Sequence, residues 1–153
     1  MNLQIKNNQN KIKIDKRRIR STLRKIMHHL DCVDKEISIC FVNDEKIRIL
    51  NKQYLGKNRP TNVLSFSMRG SDYGDINPHV LGDIVISVET AKTDAGQGGL
   101  NFAQEIDFLL IHGLLHLLGY NHENTTKYAV KKMKEKEKEL FNILYSKRIS
   151  LDG

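Results

Sequence analysis

The side chains of this chain best suited to chemistry are three histidines between residues 112 and 122. His112 and His116 are four residues apart, which places both imidazoles on one face of a helix, one turn above the other. Gly119 stands where a left-handed residue commonly ends a helix, so the chain can turn back and bring His122 beside the other two. Three neutral imidazoles that meet at one point are the ligand set of a catalytic zinc ion, with a fourth position left for water.

The residues around these histidines are mostly apolar, so the alternative to a metal site is an ordinary buried helix. A single histidine on an apolar helix is usually a hydrogen-bonded core residue, and a pair at this spacing leaves the two interpretations about even. The third histidine, after the glycine, favours the metal. Metzincin zinc proteases share the spacing His-x-x-x-His-x-x-Gly-x-x-His, but the glutamate that serves them as general base is replaced here by Gly113.

The composition predicts one globular domain with an anionic partner. Hydrophobic residues make up 39% of the 153 residues and charged residues 28%, and the formal net charge is +7. Such a charge favours nucleic acid first and an anionic membrane second. Two cysteines, Cys32 and Cys40, are too few for a disulfide framework. With neither a secretory signal in the basic segment 1–25 nor a membrane span, we expect a cytoplasmic protein.

The apolar periodicity predicts an α/β (α+β) fold in a single domain over 1–153, with a mixed sheet of about four strands packed by about five helices. The order is β-α-β-α-β-β-α-α-α. Helix caps are expected at Asp15, Asn43, Ser87 and Asn101, the last in a capping box with Gln104, and at Thr125 or Thr126. The strands 62–67 and 81–86 are close enough in sequence to pair antiparallel. The metal site should lie at the end of the buried histidine helix, and 147–153 should form a frayed tail.

Basic and acidic residues elsewhere supply candidates for the rest of a site. Lys57 and Arg59, in the link before the third strand, could hold an RNA backbone or be ordinary loop cations. We interpret the basic face of the first helix as solvated, with an RNA contact as the alternative, and the charged run 131–139 as salt-bridged solvated helix. The carboxylates that could orient the histidines are Asp83, which we favour, and Glu105, Asp107 and Glu123.

Three segments carry a resemblance to a known family. They are Tyr-Leu-Gly-Lys-Asn-Arg-Pro-Thr-Asn-Val-Leu-Ser-Phe over 54–66, Leu-Gly-Asp-Ile-Val-Ile over 81–86, and His-Gly-Leu-Leu-His-Leu-Leu-Gly-Tyr-Asn-His over 112–122. From about residue 35 to 145 the chain resembles the bacterial YbeY proteins, which are zinc-dependent, single-strand-specific endoribonucleases. One position departs from the family pattern, because the arginine usual after the motif tyrosine is replaced by Leu55.

The resemblance implies a function in ribosome biogenesis. It implies one Zn²⁺ ion, a single-stranded small-subunit rRNA substrate, action in 16S rRNA 3′-end maturation and in ribosome quality control, and association with the ribosome or 30S subunit. Ribosomal proteins and a ribosome-associated GTPase are the further partners that it implies, and a membrane is not among them. Since Leu55 replaces the family arginine, RNA affinity or cleavage rate is expected to be lower than in relatives.

Because Gly113 replaces the glutamate base of the metzincins, the mechanism must work without that base. Zinc lowers the pKa of a bound water molecule to about 7, so hydroxide is available at neutral pH without a strong base. Whether water or the ribose 2′-hydroxyl attacks stays open. Two other functions also stay open: a non-catalytic ribosome-binding factor with structural zinc, favoured by Leu55, and a zinc peptidase, favoured by the ligand spacing and disfavoured by Gly113.

Overall fold

The computed structural model of the chain describes residues 3–68, 79–120 and 126–145. Within these ranges the predicted order of elements and the α+β class with its mixed sheet are confirmed. The elements are β1 (Leu3–Asn7), α1 (Lys16–His29), β2 (Glu36–Val42), α2 (Asp44–Leu55), β3 (Val63–Ser67), β4 (Val80–Ser87), α3 (Val88–Gly98), α4 (Phe102–Leu117) and α5 (Lys127–Tyr145).

The four strands form one sheet in the order β1-β2-β4-β3. β1 pairs with β2, and β2 with β4, in parallel; such pairs need long crossovers, which α1 and α2 provide on the way from one strand to the next. β3 pairs antiparallel with β4, as predicted from the short sequence between them, with Ser65 opposite Ile84 and Phe66 opposite Asp83. β3 therefore forms one edge of the sheet.

Side-chain caps begin the helices where the sequence places them. Each cap accepts a hydrogen bond from a backbone N–H in the first turn, which satisfies a donor that has no partner inside the helix. Asn101 and Gln104 form the predicted capping box reciprocally at the start of α4. The other caps, each followed by its N–H donor, are Asp15 with Arg18, Asn43 with Lys46, Ser87 with Thr90, and Thr126 with Ala129.

The sheet separates a large apolar core from a small one. On one face, α1, α3, α4 and α5 bury most of the large apolar side chains of the described residues. On the other face, α2 covers a cluster of Val42, Ile47, Leu64 and Val85. The histidine helix α4 lies in the larger core, and α2 with the loop that follows it lies across the sheet from it. None of the helices in the described ranges is long and apolar enough to cross a bilayer.

A buried carboxylate joins three helices of the larger core. Asp107 on α4 is 2% exposed, and both of its oxygens accept from Nη1 of Arg18 on α1 at 3.0 Å. The hydroxyl of Tyr145 on α5 also donates to it. Burial raises the pKa of Asp107, while the tyrosine and the arginine oppose that rise. Asp107 therefore holds the helices together and is not one of the carboxylates that orient a histidine.

A turn ends the first strand, and a threonine cap begins the final helix. The first strand ends at Asn7, because Gln9 then accepts hydrogen bonds from the backbone of Lys11 and Ile12 and folds the chain into a turn. The final helix starts after Thr126, one of the two alternatives. Residues 69–78 and the predicted frayed tail 147–153 lie outside the described residues.

Gly113 explains how closely α4 approaches the sheet. A Cβ atom at this position would lie 3.0 Å from both Cδ1 and Cγ2 of Ile84, whose side chain is fully buried on β4. Position 113 therefore points at the sheet. A glutamate in this place, such as metzincins use as general base, would be driven into Ile84.

We predict that Gly113→Ala destabilises the protein, because overpacking against Ile84 costs about 1–3 kcal/mol and outweighs the gain of roughly 0.4–1 kcal/mol from replacing a helical glycine. The free energy of unfolding in urea measures the effect. Gly96→Ala is the matched control: Gly96 is also helical and its added Cβ would meet nothing within 4 Å. We expect this control to stabilise by roughly 0.4–1 kcal/mol. Equal effects of the two substitutions would contradict the packing argument.

Candidate metal centre

The C-terminal half of α4 positions two of the predicted ligands. The helix is apolar on nearly all sides and buried between the sheet and the other helices. Its last turn contains His116, and Leu118 ends it; Gly119 follows with φ +96°, the positive value predicted for the turn. His112 and His116 are the polar interruptions of this buried half, and both remain partly accessible.

The two imidazoles face each other through the nitrogens that would bind a metal. Nε2 of His112 and Nε2 of His116 are 3.1 Å apart. With Zn–N bonds of about 2.05 Å, two nitrogens at this separation subtend roughly 100° at a shared ion, close to the tetrahedral value. The pair therefore fits two positions of a tetrahedral zinc site.

Glu137 on α5 fixes the orientation of the first imidazole. Its Oε2 atom lies 2.5 Å from Nδ1 of His112, and its side chain is buried. A carboxylate only accepts hydrogen bonds, so Nδ1 of His112 carries the proton and its Nε2 lone pair is free to face His116. Metal-binding histidines commonly donate their second ring N–H to a carboxylate in this way.

Burial keeps the second imidazole in the form that a metal needs. Desolvation lowers the pKa of His116, the neighbouring His112 lowers it further, and the carboxylate of Glu137 opposes both. A metal binds the neutral imidazole, so a lowered pKa keeps His116 competent as a ligand to lower pH.

Aromatic side chains pack against the ring of His112. The ring of Phe108, one turn before His112 on α4, stacks on that imidazole with centroids 6.2 Å apart. Phe141 of α5 meets Phe108 edge-on. These contacts and the Glu137 contact leave His112 little freedom to turn away from His116.

The third predicted ligand, His122, and the candidate carboxylate Glu123 lie outside the described residues. Within the described ranges, no group of three or more His, Cys, Asp and Glu side chains is arranged to hold a metal ion. The three-histidine zinc site thus stays a prediction, for which the structure supplies two facing imidazoles.

Asp83 lies on the face of the sheet opposite α4, away from His112 and His116, and its role in orienting an imidazole stays a prediction. Successive side chains of a strand point to opposite faces. Ile84 faces Gly113 on α4, so Asp83 faces the other side of the sheet, where Ser38 donates a hydrogen bond to it. Glu105 is buried on α4, where desolvation raises its pKa. The carboxylate that contacts His112 is Glu137.

Sequence reasoning missed Glu137 because it sits inside the charged run 131–139. A helical pattern offered the missing signal: Val130, Met133, Leu140 and Leu144 form the apolar line of the helix, and Glu137 falls on that same line. A lone carboxylate on a buried stripe requires a polar partner.

Lys57 and Arg59 lie apart from the histidines. Both are exposed in the loop that leaves α2 and enters β3 at Val63. Asn51 holds this loop, since its side chain donates to the carbonyl of Arg59 at 2.9 Å. The histidine end of α4 lies at the other end of β3. Their role in RNA binding stays a prediction.

The comparisons with known proteins give one consistent family. The family described as Endoribonuclease YbeY matches residues 4–145. The chain is similar to an Endoribonuclease YbeY of Syntrophus aciditrophicus, with 52% identity over 95% of this chain and 91% of the relative. It is also similar to one of Geobacter sulfurreducens, with 43% identity over 94% and 96%. A solution structure from Thermotoga maritima has a TM-score of 0.67 and 26% identity, covering 97% of this chain and 92% of the other.

We predict that Glu137→Met releases the ring of His112. Methionine keeps the side-chain volume and the helix propensity but cannot accept the Nδ1 proton. In ¹⁵N NMR spectra of the metal-free protein, His112 should change from the Nδ1–H tautomer to a mixture of tautomers. Glu135→Met, on an exposed position of the same helix, should leave the His112 signals unchanged. An unchanged tautomer in Glu137→Met would show that the carboxylate does not fix the imidazole.

Proposed function

The chain belongs to the Endoribonuclease YbeY family, and from this premise we propose that it is a zinc-dependent endoribonuclease that cleaves single-stranded RNA. The observation that supports the proposal best is the pair of Nε2 atoms 3.1 Å apart, with Nδ1 of His112 held by a buried carboxylate. Two Nε2 atoms that face one point, one of them on a ring oriented by a buried carboxylate, are the arrangement that two ligands of a shared zinc ion require.

The residues proposed to hold the ion are His112 and His116, with His122 as the third. A bound zinc ion supplies Lewis acidity, towards a phosphoryl oxygen and towards a water molecule. Glu137 keeps the proton of His112 on Nδ1, so that Nε2 stays available as a ligand. Phe108 stacks on the ring of His112 and Phe141 packs edge-on against Phe108, and these contacts limit rotation of the imidazole.

Position 113 argues for the nuclease over the peptidase. In metzincins the residue after the first histidine is the glutamate base. Here that residue is Gly113, and it faces Ile84 on the sheet. A peptidase of the metzincin type would lack its base, whereas phosphodiester cleavage can rely on stabilising the charge that develops on phosphate.

The surface of the chain supports an RNA substrate. The net charge is +7, and the loop before β3 presents Lys57 and Arg59 to solvent. These cations lie at one end of β3 and the histidines at the other, so a strand held by both would run along the edge of the sheet. Arg59 can bind a phosphate with two parallel hydrogen bonds.

We propose a cellular role from the family alone. The substrate is single-stranded small-subunit rRNA in the cytoplasm, the reaction belongs to 16S rRNA 3′-end maturation and ribosome quality control, and the chain acts with the ribosome or 30S subunit, ribosomal proteins and a ribosome-associated GTPase. The alternative, a ribosome-binding factor that does not cleave, is favoured by Leu55, which is 56% exposed at the end of α2 and carries no charge.

The metal requirement can be tested with a labelled single-stranded RNA oligonucleotide. We expect the zinc-loaded protein to cleave it, chelator to stop the reaction, and zinc to restore it. His116→Ala should lose more activity and zinc affinity than the roughly 10–100-fold cost of removing a residue that only orients a ligand. His29→Ala changes an exposed histidine on α1 and should retain full activity. Cleavage that persists in chelator would disprove the proposal, and ribosome binding by an inactive wild type would support the alternative.

The departure at position 55 can be tested separately. Leu55→Arg restores the family arginine, and we expect kcat/KM for RNA to rise about fivefold, which corresponds to roughly 1 kcal/mol for an exposed charge pair. Ile49→Arg adds the same charge at an exposed position of the same helix and is the matched control. An equal gain in both variants would attribute the effect to net charge and not to position 55.

A further inference from the structure

The helix that supplies Glu137 also carries a concentration of lysines. All six lysines of α5 lie between residues 127 and 138, and none lies in its last seven residues. Four of them are spaced four, three and four residues apart, so they share one edge of the helix. We call this edge the lysine ridge; it consists of Lys127, Lys131, Lys134 and Lys138, and all four are exposed.

Contacts between α4 and α5 place the lysine-bearing half of α5 beside the histidines. Tyr145 contacts Asp107, Phe141 contacts Phe108, and Glu137 contacts His112, so the two helices run antiparallel in this register. The part of α5 that precedes Glu137 must therefore continue alongside the part of α4 that follows His112. The basic half of α5 flanks the metal centre, and the half without lysine flanks the far end of α4.

The acidic residues of α5 do not neutralise the ridge. Glu137 is buried against His112, which leaves Glu135 and Glu139 at the surface. Glu139 pairs with Lys136, which is not part of the ridge. Glu135 reaches Lys131 only at 4.0 Å, with both side chains mostly exposed, and such a pair contributes little. The expectation of a salt-bridged solvated helix holds for these two pairs, but the ridge keeps an excess of positive charge.

We propose that the lysine ridge binds the phosphate backbone of the single-stranded RNA that enters or leaves the metal centre. The inference rests on the proposed function, because it concerns the same RNA substrate and names a second surface of the protein that binds it. The ridge spans about 16 Å along the helix. At roughly 3.4 Å per stacked nucleotide, that length accommodates about five phosphates. Lysine suits this task, since flexible point charges follow a backbone without reading its sequence.

The position of α4 separates this surface from the loop cations. α4 contacts β3 on one side and α5 on another. The loop that carries Lys57 and Arg59 precedes β3 and is held to α2 by Asn51, so it forms a basic surface separate from the ridge.

The test measures RNA binding without cleavage. A fluorescent single-stranded RNA is titrated in chelator at several salt concentrations, with wild type and with a variant in which all four ridge lysines are changed to glutamine. Glutamine keeps the helix propensity of lysine. Each phosphate contact contributes about 0.7 to the slope of log K against log salt for a single strand, so the slope should become shallower by roughly 2 to 3.

The matched control removes the same charge elsewhere, by changing four exposed lysines to glutamine at positions 11, 13, 46 and 92. A slope in the ridge variant equal to that of this control would overturn the proposal. So would loss of binding to anionic phospholipid vesicles with RNA binding intact, which would identify a membrane as the partner. Failure of the wild type to cleave RNA would sink the proposed function alone, because the slopes are measured without cleavage.

Discussion

The contact between Glu137 and His112 is the constraint on which the rest of this centre depends. A carboxylate that is 7% exposed must be compensated, because an unpaired charge in the interior is very costly. The imidazole Nδ1–H of His112 supplies that compensation at 2.5 Å. The same hydrogen bond determines which ring nitrogen faces His116 and the depth at which α5 packs on α4. This contact acts together with the Asp107–Tyr145 and Phe108–Phe141 contacts, so the orientation of the His112 ring is linked to the packing of the two helices.

A second constraint acts from the opposite side of the same helix. Gly113 allows α4 to approach the sheet until its backbone meets Ile84, and Gly82 on β4 lets the strand pass close to Leu117. At Gly82 the backbone has φ +144°, and a Cβ there would lie 2.1 Å from the carbonyl oxygen of Phe66. Two glycines therefore set the distance between the histidine helix and the sheet. This close approach leaves no room for a side chain at 113, so the general base that metzincins carry at this position has no counterpart here.

Much of this arrangement could be predicted from the sequence, because the signals were local. Asn101 and Gln104 start a helix by hydrogen bonds within one turn, and the spacing of His112 and His116 places them on one face regardless of the remaining fold. The face on which Asp83 lies could not be predicted, because face assignment depends on which neighbouring helix packs on which side of the sheet, and apolar residues occur on both faces of β4. Glu137 was missed for a related reason: its partner is 25 residues away, so nothing nearby distinguished it from the exposed glutamates beside it.

The contact between Glu137 and His112 also determines where the lysines of α5 lie. Since Glu137 must face inward to meet His112, the helix cannot rotate, and its lysines at positions 127, 131, 134 and 138 are held on one flank of α4. The buried apolar line of α5, with Met133 and Leu140, holds the helix in the same orientation. The buried carboxylate therefore links the orientation of the His112 ring to the placement of positive charge. A substrate strand that approached the histidines from α5 would meet that charge before it met the imidazoles, and attraction at this range accelerates encounter with a polyanion.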